Sequence, residues 1–275
     1  MANYTTADIK ELREQTGAGM LDVKKALDEA DDDKAKATEI LRIRGLKGIT
    51  KREGRSVSNG LVAAKVEGVA GTLVEVNCET DFVAKGEKFG KLADTVLAQA
   101  AAIKAADADT LLKAKFDDKT VQEMLDAVNA SIGEKIEVRR VVHLEGDRVM
   151  SYLHKTSPDL PAQIGVLVVV KGGDEQTARD IAMHIAAFNP LVLTCDEIDV
   201  ETIENERHVA EATAKEEGKP EAVLPKIIEG RVNGYFKENV LLAQPFAKEP
   251  RKTVQTVADE AGAEVMDFAR FKVGV

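Results

Sequence analysis

The sequence predicts an α+β protein in which an N-terminal three-helix bundle precedes two related α+β lobes with small antiparallel sheets. Apolar residues recur at helical spacing near the N-terminus, and from Gly60 the pattern changes to one typical of strands. The order of strands and helices then repeats in the second half of the chain. A length of 275 residues accommodates two or three domains at roughly 100–150 residues each.

The composition indicates a soluble globular chain and disfavours several classes of function. The formal net charge of −10 makes duplex nucleic acid an unexpected main partner, because binding a polyanion requires clustered Lys and Arg. Cys78 and Cys195 form neither a metal-ligand spacing nor a disulfide framework, which favours a reducing compartment. With no secretory signal and no apolar run of membrane-spanning length, we expect a cytoplasmic protein without a membrane partner.

Residues 1–46 predict the bundle. Thr6 is expected to cap the first helix, which is broken by the glycines of Thr16-Gly17-Ala18-Gly19. The second runs from Met20 to Ala30, with Met20 expected on the same face as the apolar residues that follow it. A third helix follows and is expected to end near Gly45.

Residues 47–59 predict a linker in which basic residues mix with Gly and Ser. The stretch from Lys47 to Arg55 fits a solvated connection better than a nucleic-acid patch. An RNA-binding accessory protein that uses this basic stretch is the alternative function, although the net charge and the scarcity of aromatic residues for stacking count against it.

The two lobes are predicted from strands that flank helices in the same order. The first lobe spans residues 60–145, and the second spans residues 146–190 and 236–275. Glycines relate the lobes, because Gly71-Thr72-Leu73-Val74 resembles Gly165-Val166-Leu167-Val168. The predicted strands are Leu61–Val66, Thr72–Asn77, Ile136–Leu144, Val149–Leu153, Ile164–Val170 and Val265–Val273. The predicted helices are Phe89–Ala102, Leu111–Ala130 and Asp174–Phe188.

Residues 191–235 predict a helical hairpin inserted into the second lobe. A charged helix from Asp196 to Gly218 meets a second helix, Glu221 to Lys237, across a Gly–Pro turn. The charged surface and thin apolar stripe favour a projecting arm over a helical layer lying flat on the lobe.

The sequence offers no enzymatic chemistry at a recognisable spacing. It contains neither a phosphate-binding loop nor a His-Glu-x-x-His helix, so we expect no cofactor, no metal and no direct nucleotide binding. Cys78 lies within a strand pattern, where a small buried residue is more usual than a nucleophile. His184 lies on an apolar helix face and is expected to be a core histidine.

Two segments stand out as interaction sites. In the first, Leu12 to Leu27, the adjacent Met20 and Leu21 start a helix where only one is expected to face the core. The other would be exposed beside Arg13 and Lys24, which suits a protein-binding corner.

The second segment, Glu75 to Lys85, runs from a strand into a polar turn that carries an aromatic. Thr80 and Asp81 have a local explanation as turn and cap residues. That explanation covers Phe82 only if its ring packs inward.

Both segments resemble the signature regions of the elongation factor Ts family, and the similarity extends along nearly the whole chain. The resemblance implies a UBA-like N-terminal bundle and an exchange factor that binds elongation factor Tu and speeds the release of its GDP, without being an enzyme. It also leaves room for a dimer of heterodimers.

The resemblance further implies which residues contact the partner. Asp81 and Phe82, flanked by Thr80 and Val83, would form a wedge inserted near the magnesium site of the GTPase. Three further groups are expected contacts: Arg13, Met20, Leu21 and Lys24 in the bundle, His154 in the second lobe, and the segment around Phe246.

Overall fold

The computed structural model describes residues 4–16, 18–50 and 54–275 and confirms the α+β class. The N-terminal helices α1 (Thr6–Thr16), α2 (Met20–Glu29) and α3 (Lys34–Thr50) pack around a core that includes Leu12, Val23 and Leu27. The likeness of this bundle to a UBA domain stays a prediction. Gly17 lies outside the described residues, as do Lys51 and Arg52 of the basic linker stretch; the side chain of Lys47 is also not described.

The expectation that the third helix ends near Gly45 is wrong, since α3 continues to Thr50. A Cβ added at Gly45 would lie 2.7 Å from the Cβ of Ala130 in the first lobe. The glycine thus permits a close helix–helix approach, and it does not act as a helix stop.

Each lobe contains a three-stranded antiparallel sheet whose second strand lies in the middle. The first sheet has the order β1 (Asn59–Glu67), β2 (Ala70–Cys78) and β5 (Ile136–Glu145). The second has the order β6 (Arg148–His154), β7 (Ile164–Gly172) and β10 (Ala263–Lys272). The six predicted strands are thereby confirmed, and the two sheets share one topology.

Helices cover the outer face of each sheet. In the first lobe these are α4 (Asp81–Ala84), α5 (Glu87–Ala102), α6 (Ala108–Lys113) and α7 (Val121–Ile132). In the second lobe they are α8 (Glu175–Phe188) and, later in the chain, α11 (Val254–Glu260).

The predicted continuous helix from Leu111 to Ala130 is wrong. A small hairpin, β3 (Lys115–Phe116) and β4 (Lys119–Thr120), separates α6 from α7. Asp117 turns the chain with a φ of 53°. Thr120 then starts α7 through a reciprocal capping box with Glu123.

The second lobe repeats this arrangement, and the repeat is also visible in the sequence. Lys119-Thr120-Val121-Gln122 recurs as Lys252-Thr253-Val254-Gln255. The second copy likewise follows a hairpin, formed by β8 (Pro245–Phe246) and β9 (Glu249–Thr253), and its threonine caps α11. Both valines are fully buried, so each segment starts a helix against its lobe core.

The two sheets pack face to face, with the helices outside. Their shared core includes Val62 and Leu73 from the first sheet and Leu167 from the second. Gly71 and Gly165 hold equivalent positions here, because a Cβ on either would lie within 2.6 Å of a side chain in the opposite sheet. At both glycines of the sequence repeat, the two lobes therefore approach each other too closely for a larger side chain.

Polar contacts also join the lobes. Arg140 forms an ion pair with the buried Glu75, with 2.6 Å between Nε and Oε2, and donates to the carbonyl of Lys272 in the second lobe. Its guanidinium lies 4.7 Å from the ring centroid of Phe271. The backbone N–H of Val62 donates to the carbonyl of Ala162.

The insertion is a helical hairpin made of α9 (Val200–Glu216) and α10 (Leu224–Asn239). The helices pack on each other, and elsewhere in the described chain they make extensive contact only with the short helical turns beside α10. The insertion is thus an arm attached at its base. Within the described residues, no helix has the length and apolar character needed to cross a bilayer.

Candidate functional site

The segment after β2 forms a one-turn helix that its sequence explains. Thr80 is extended, with φ −124° and ψ 153°, and its Oγ1 accepts the N–H of Val83 at 3.3 Å. Asp81 occupies the first turn, where a negative charge is favourable. The local interpretation of Thr80 as a helix cap is confirmed.

Phe82 points outward from this turn. Its side chain is 85% exposed, the highest value among the large apolar side chains that the structure describes. Ala84, in contrast, is buried, and Val83 is half-buried against the lobe core. Inward packing of Phe82 is therefore excluded, and capping does not account for an aromatic at this position.

Asp81 and Lys85 form an ion pair beside Phe82, with 2.8 Å between Oδ2 and Nζ. The hydrogen bond from Lys85 holds the pKa of Asp81 below its ordinary value, and Asp81 raises the pKa of Lys85 in return. Both groups are solvent-exposed, so the exposed ring stands next to a pair of opposite charges.

The loop between α7 and β5 forms hydrogen bonds with the start of this turn. The carboxylate of Glu134 accepts two hydrogen bonds from Thr80, from Oγ1 at 2.7 Å and from the backbone N–H at 3.1 Å. Glu79 accepts the N–H of Lys135 at 2.6 Å and pairs with Arg55 at 3.1 Å. Sequence reasoning missed Glu134. The antiparallel pairing of β2 with β5 brings it here, because Cys78 pairs with Ile136 and Glu134 lies two residues before Ile136.

Cys78 and His184 have structural roles. Burial raises the pKa of the Cys78 thiol to about 12, so the group is protonated at neutral pH and a poor nucleophile. His184 is buried between the rings of Phe188 and Phe246; its Nε2 is 2.8 Å from Gln244 Oε1, and its Nδ1 accepts the N–H of Ala247. The prediction of a core histidine is confirmed.

The N-terminal corner exposes both of its apolar residues. Met20 is 54% and Leu21 is 73% exposed, so the expectation that one of them faces the core is wrong. The buried stripe of α2 begins one turn later, at Val23. Arg13 and Lys24 are also exposed, and the corner therefore presents apolar and basic groups together.

The second lobe presents His154 but buries Phe246. His154 is exposed at the end of β6, with Nδ1 3.3 Å from the hydroxyl of Tyr152. The ring of Phe246 is only 3% exposed and forms part of the lobe core. A partner contact by this segment stays a prediction, and Pro245, Ala247 and Lys248 are exposed residues beside the ring.

The exposed candidate residues thus lie on three parts of the fold: the bundle corner, the turn after β2 and the end of β6. Among the described residues, no group of three or more His, Cys, Asp and Glu side chains is placed to hold a metal ion.

Comparisons with known proteins identify the same family that the two sequence segments resemble. The family model described as Elongation factor TS matches residues 79–275. The chain is 57% identical to Elongation factor Ts of Micrococcus luteus, 58% identical to that of Arthrobacter sp. and 54% identical to that of Kineococcus radiotolerans. Each alignment covers the full length of both proteins. The matched family region begins at Glu79 and includes the turn that exposes Phe82.

Proposed function

The chain belongs to the elongation factor Ts family of translation elongation factors, and we propose that it is the guanine nucleotide exchange factor for elongation factor Tu. It binds the GTPase in its GDP form, disturbs the magnesium and phosphate site, and promotes GDP release so that GTP binds. The outward-facing ring of Phe82, on a turn fixed by Thr80, is the observation that carries this proposal.

The mechanism requires differential binding and no chemistry. A GTPase holds its nucleotide through backbone N–H groups around the phosphates and through a magnesium ion. A factor that binds best to a state in which these contacts are disturbed lowers the affinity of the GTPase for its nucleotide. The bound nucleotide lowers the affinity for the factor to the same degree. Phe82 and Asp81 insert as the wedge that favours this state.

The wedge requires support from other contacts. A thousandfold loss of nucleotide affinity corresponds to about 4 kcal/mol. Burying a phenylalanine side chain contributes roughly 1.5–3 kcal/mol, so Phe82 alone is insufficient. We propose that Arg13, Met20, Leu21 and Lys24 bind the nucleotide domain and that His154 adds a contact from the second lobe. The exposure of the Met20 and Leu21 side chains supports this assignment.

The setting of this function is also a proposal. The partner is a GTPase of translation, so we place the factor in the cytoplasm, with no nucleic acid as a main partner. Two complexes pairing through the factor would give a dimer of heterodimers.

The test follows fluorescent GDP as it leaves elongation factor Tu. We expect Phe82→Ala to slow the factor-stimulated release. Circular dichroism is expected to show an unchanged fold, because truncating an exposed ring leaves no cavity in the protein core. Val69→Ala is the matched control, since it also truncates an exposed apolar residue, at the opposite end of β2. Equal release rates for Phe82→Ala and the unmodified factor would exclude the wedge.

A further inference from the structure

We propose that Glu134 is a positioning residue for the exchange reaction: it holds Thr80 and thereby fixes the direction in which Phe82 projects. This inference rests on the proposed function and adds to it a residue from a different part of the chain. Glu134 lies 54 positions from Thr80, in the loop that joins α7 to β5.

The contact is a two-point clamp on the residue that starts the turn. Both oxygens of the Glu134 carboxylate are used, one by the hydroxyl and one by the backbone N–H of Thr80. The same hydroxyl oxygen accepts the N–H of Val83, on the far side of Phe82. Glu134 therefore orients the Thr80 hydroxyl that closes the turn around Phe82.

The turn needs an external anchor because it is too short to be stable alone. The helix has four residues, whereas isolated helices shorter than about 12 residues are marginal in water. With 85% of its side chain exposed, Phe82 gains little orientation from packing. Ordering the ring before the partner arrives reduces the entropy lost on binding.

Hydrogen bonds and a helix-ending glycine hold the loop that carries Glu134. Gly133 ends α7 in the left-handed conformation, with φ 84°. The side chain of Asn129, in the last turns of α7, donates to the carbonyl of Ile136 and accepts its N–H at 2.8 Å. The loop is thus fixed to α7 on one side and to the start of β5 on the other.

The second lobe provides an internal comparison. There too a positive-φ glycine, Gly262, precedes the third strand of the sheet, but the next residue is Ala263. The central strand β7 ends at Gly172, and Gly173 and Asp174 follow it in place of an exposed aromatic turn. The carboxylate and the turn therefore occur together in the first lobe and are both missing from the second, which ties the carboxylate to the turn and not to the shared fold.

The first experiment is a double-mutant cycle on fluorescent GDP release from elongation factor Tu, using the full chain. We expect Glu134→Ala to slow stimulated release by roughly tenfold, the order expected for loss of a hydrogen bond to a charged group. In the Phe82→Ala background, the same substitution is expected to change nothing further, because a positioning residue acts through the ring. A full additional effect there would overturn the proposal and indicate direct contact with the partner.

The second experiment needs no partner and separates this inference from the proposed function. Hydrogen exchange of the free protein is expected to be roughly tenfold faster at the Thr80 and Val83 amides in Glu134→Ala. Glu67→Ala, an exposed glutamate at the far end of β1, is the matched control and leaves these amides unchanged. Unchanged amide exchange in Glu134→Ala overturns the clamp even if the factor stimulates GDP release.

A conservative variant covers the case in which Glu134→Ala does not fold. Glu134→Gln keeps one carbonyl oxygen for Thr80. We therefore expect its rates of amide hydrogen exchange to lie between those of Glu134→Ala and the unmodified chain. If the unmodified factor fails to stimulate GDP release, the proposed function is lost, whereas the hydrogen-exchange result still decides the clamp. Normal release and normal amide exchange in Glu134→Gln, together with the same result in Thr80→Val, would overturn it.

Discussion

At the scale of single residues, Asp81 separates a role in binding from a role in stability. Its ion pair with Lys85 is exposed, and such i,i+4 pairs on a surface contribute little to stability. We expect Asp81→Ala to leave the thermal midpoint nearly unchanged and to slow GDP release from elongation factor Tu. Lys113→Ala, which breaks the exposed pair with Asp109 on α6, is the matched control. A large drop in the midpoint of Asp81→Ala alone would reassign Asp81 to the fold.

His184 predicts how stability depends on pH. Burial lowers its pKa below the ordinary value, so the unfolded chain takes up a proton at a higher pH than the folded chain does. The stabilising contribution is therefore complete above about pH 6.5 and is lost as the pH falls through the folded-state pKa. The urea concentration at the midpoint of unfolding is expected to decrease as the pH is lowered from 8 to 5.5.

Two variants test this assignment. His184→Gln is expected to be less stable at pH 8 but to lose less of its stability on acidification, because the titrating group is gone. His208→Gln changes an exposed histidine on the arm and is expected to keep the slope of the unmodified protein. A slope in His184→Gln equal to that of the unmodified protein would show that other groups cause the pH dependence.

At the scale of elements, the contact between the two sheets depends on Gly71 and Gly165. A Cβ at Gly71 would lie 2.6 Å from Val149 Cγ1, and one at Gly165 would lie 2.4 Å from Val62 Cγ1. We expect Gly71→Ala and Gly165→Ala each to lower the free energy of unfolding by about 1–3 kcal/mol through overpacking. Gly90→Ala is the matched control, since an added methyl meets open space and alanine favours a helix. Equal unfolding midpoints for all three would contradict this account of the interface.

The same elements show what a sequence can and cannot predict. The six strands followed from alternation and turn glycines because these signals are local. The break within Leu111–Ala130 has no such local signal, because the turn depends on a positive φ at Asp117 and most aspartates do not adopt one. The sequence does not show that α3 continues past Gly45, because this glycine permits a contact with α7 that exists only in the folded protein.

The candidate site divides in the same way. Thr80 and the outward Phe82 lie within one short segment, so the sequence was enough to single them out. Glu134 reaches them through strand pairing, which a single sequence does not spell out. Phe246 shows the opposite case, because a resemblance marks a segment and does not say which of its side chains face solvent.

At the scale of the whole molecule, the contacts between the lobes matter because the proposed interface has several points. The Arg140 bridge from Glu75 to Lys272 and the packed sheet faces hold the first lobe against the second. The turn that carries Phe82 and the strand end that carries His154 are thereby built on one packed core. A partner that contacts both meets a preformed spacing, which reduces the entropy lost on association.

This arrangement predicts that the bundle corner and the wedge affect different steps of exchange. Met20 and Leu21 are expected to contact the partner equally well whether or not its nucleotide site is disturbed. Truncating both to alanine is therefore expected to raise the factor concentration needed for half-maximal GDP release. The release rate at saturating factor should then stay close to that of the unmodified chain. Phe82→Ala should instead lower the saturated rate, because the lost interaction belongs to the state in which the nucleotide site is disturbed. Titration of each variant against a fixed amount of elongation factor Tu carrying fluorescent GDP measures both quantities. If the double corner variant also lowers the saturated rate, the corner takes part in disturbing the nucleotide site, and the division of roles between bundle and first lobe is wrong.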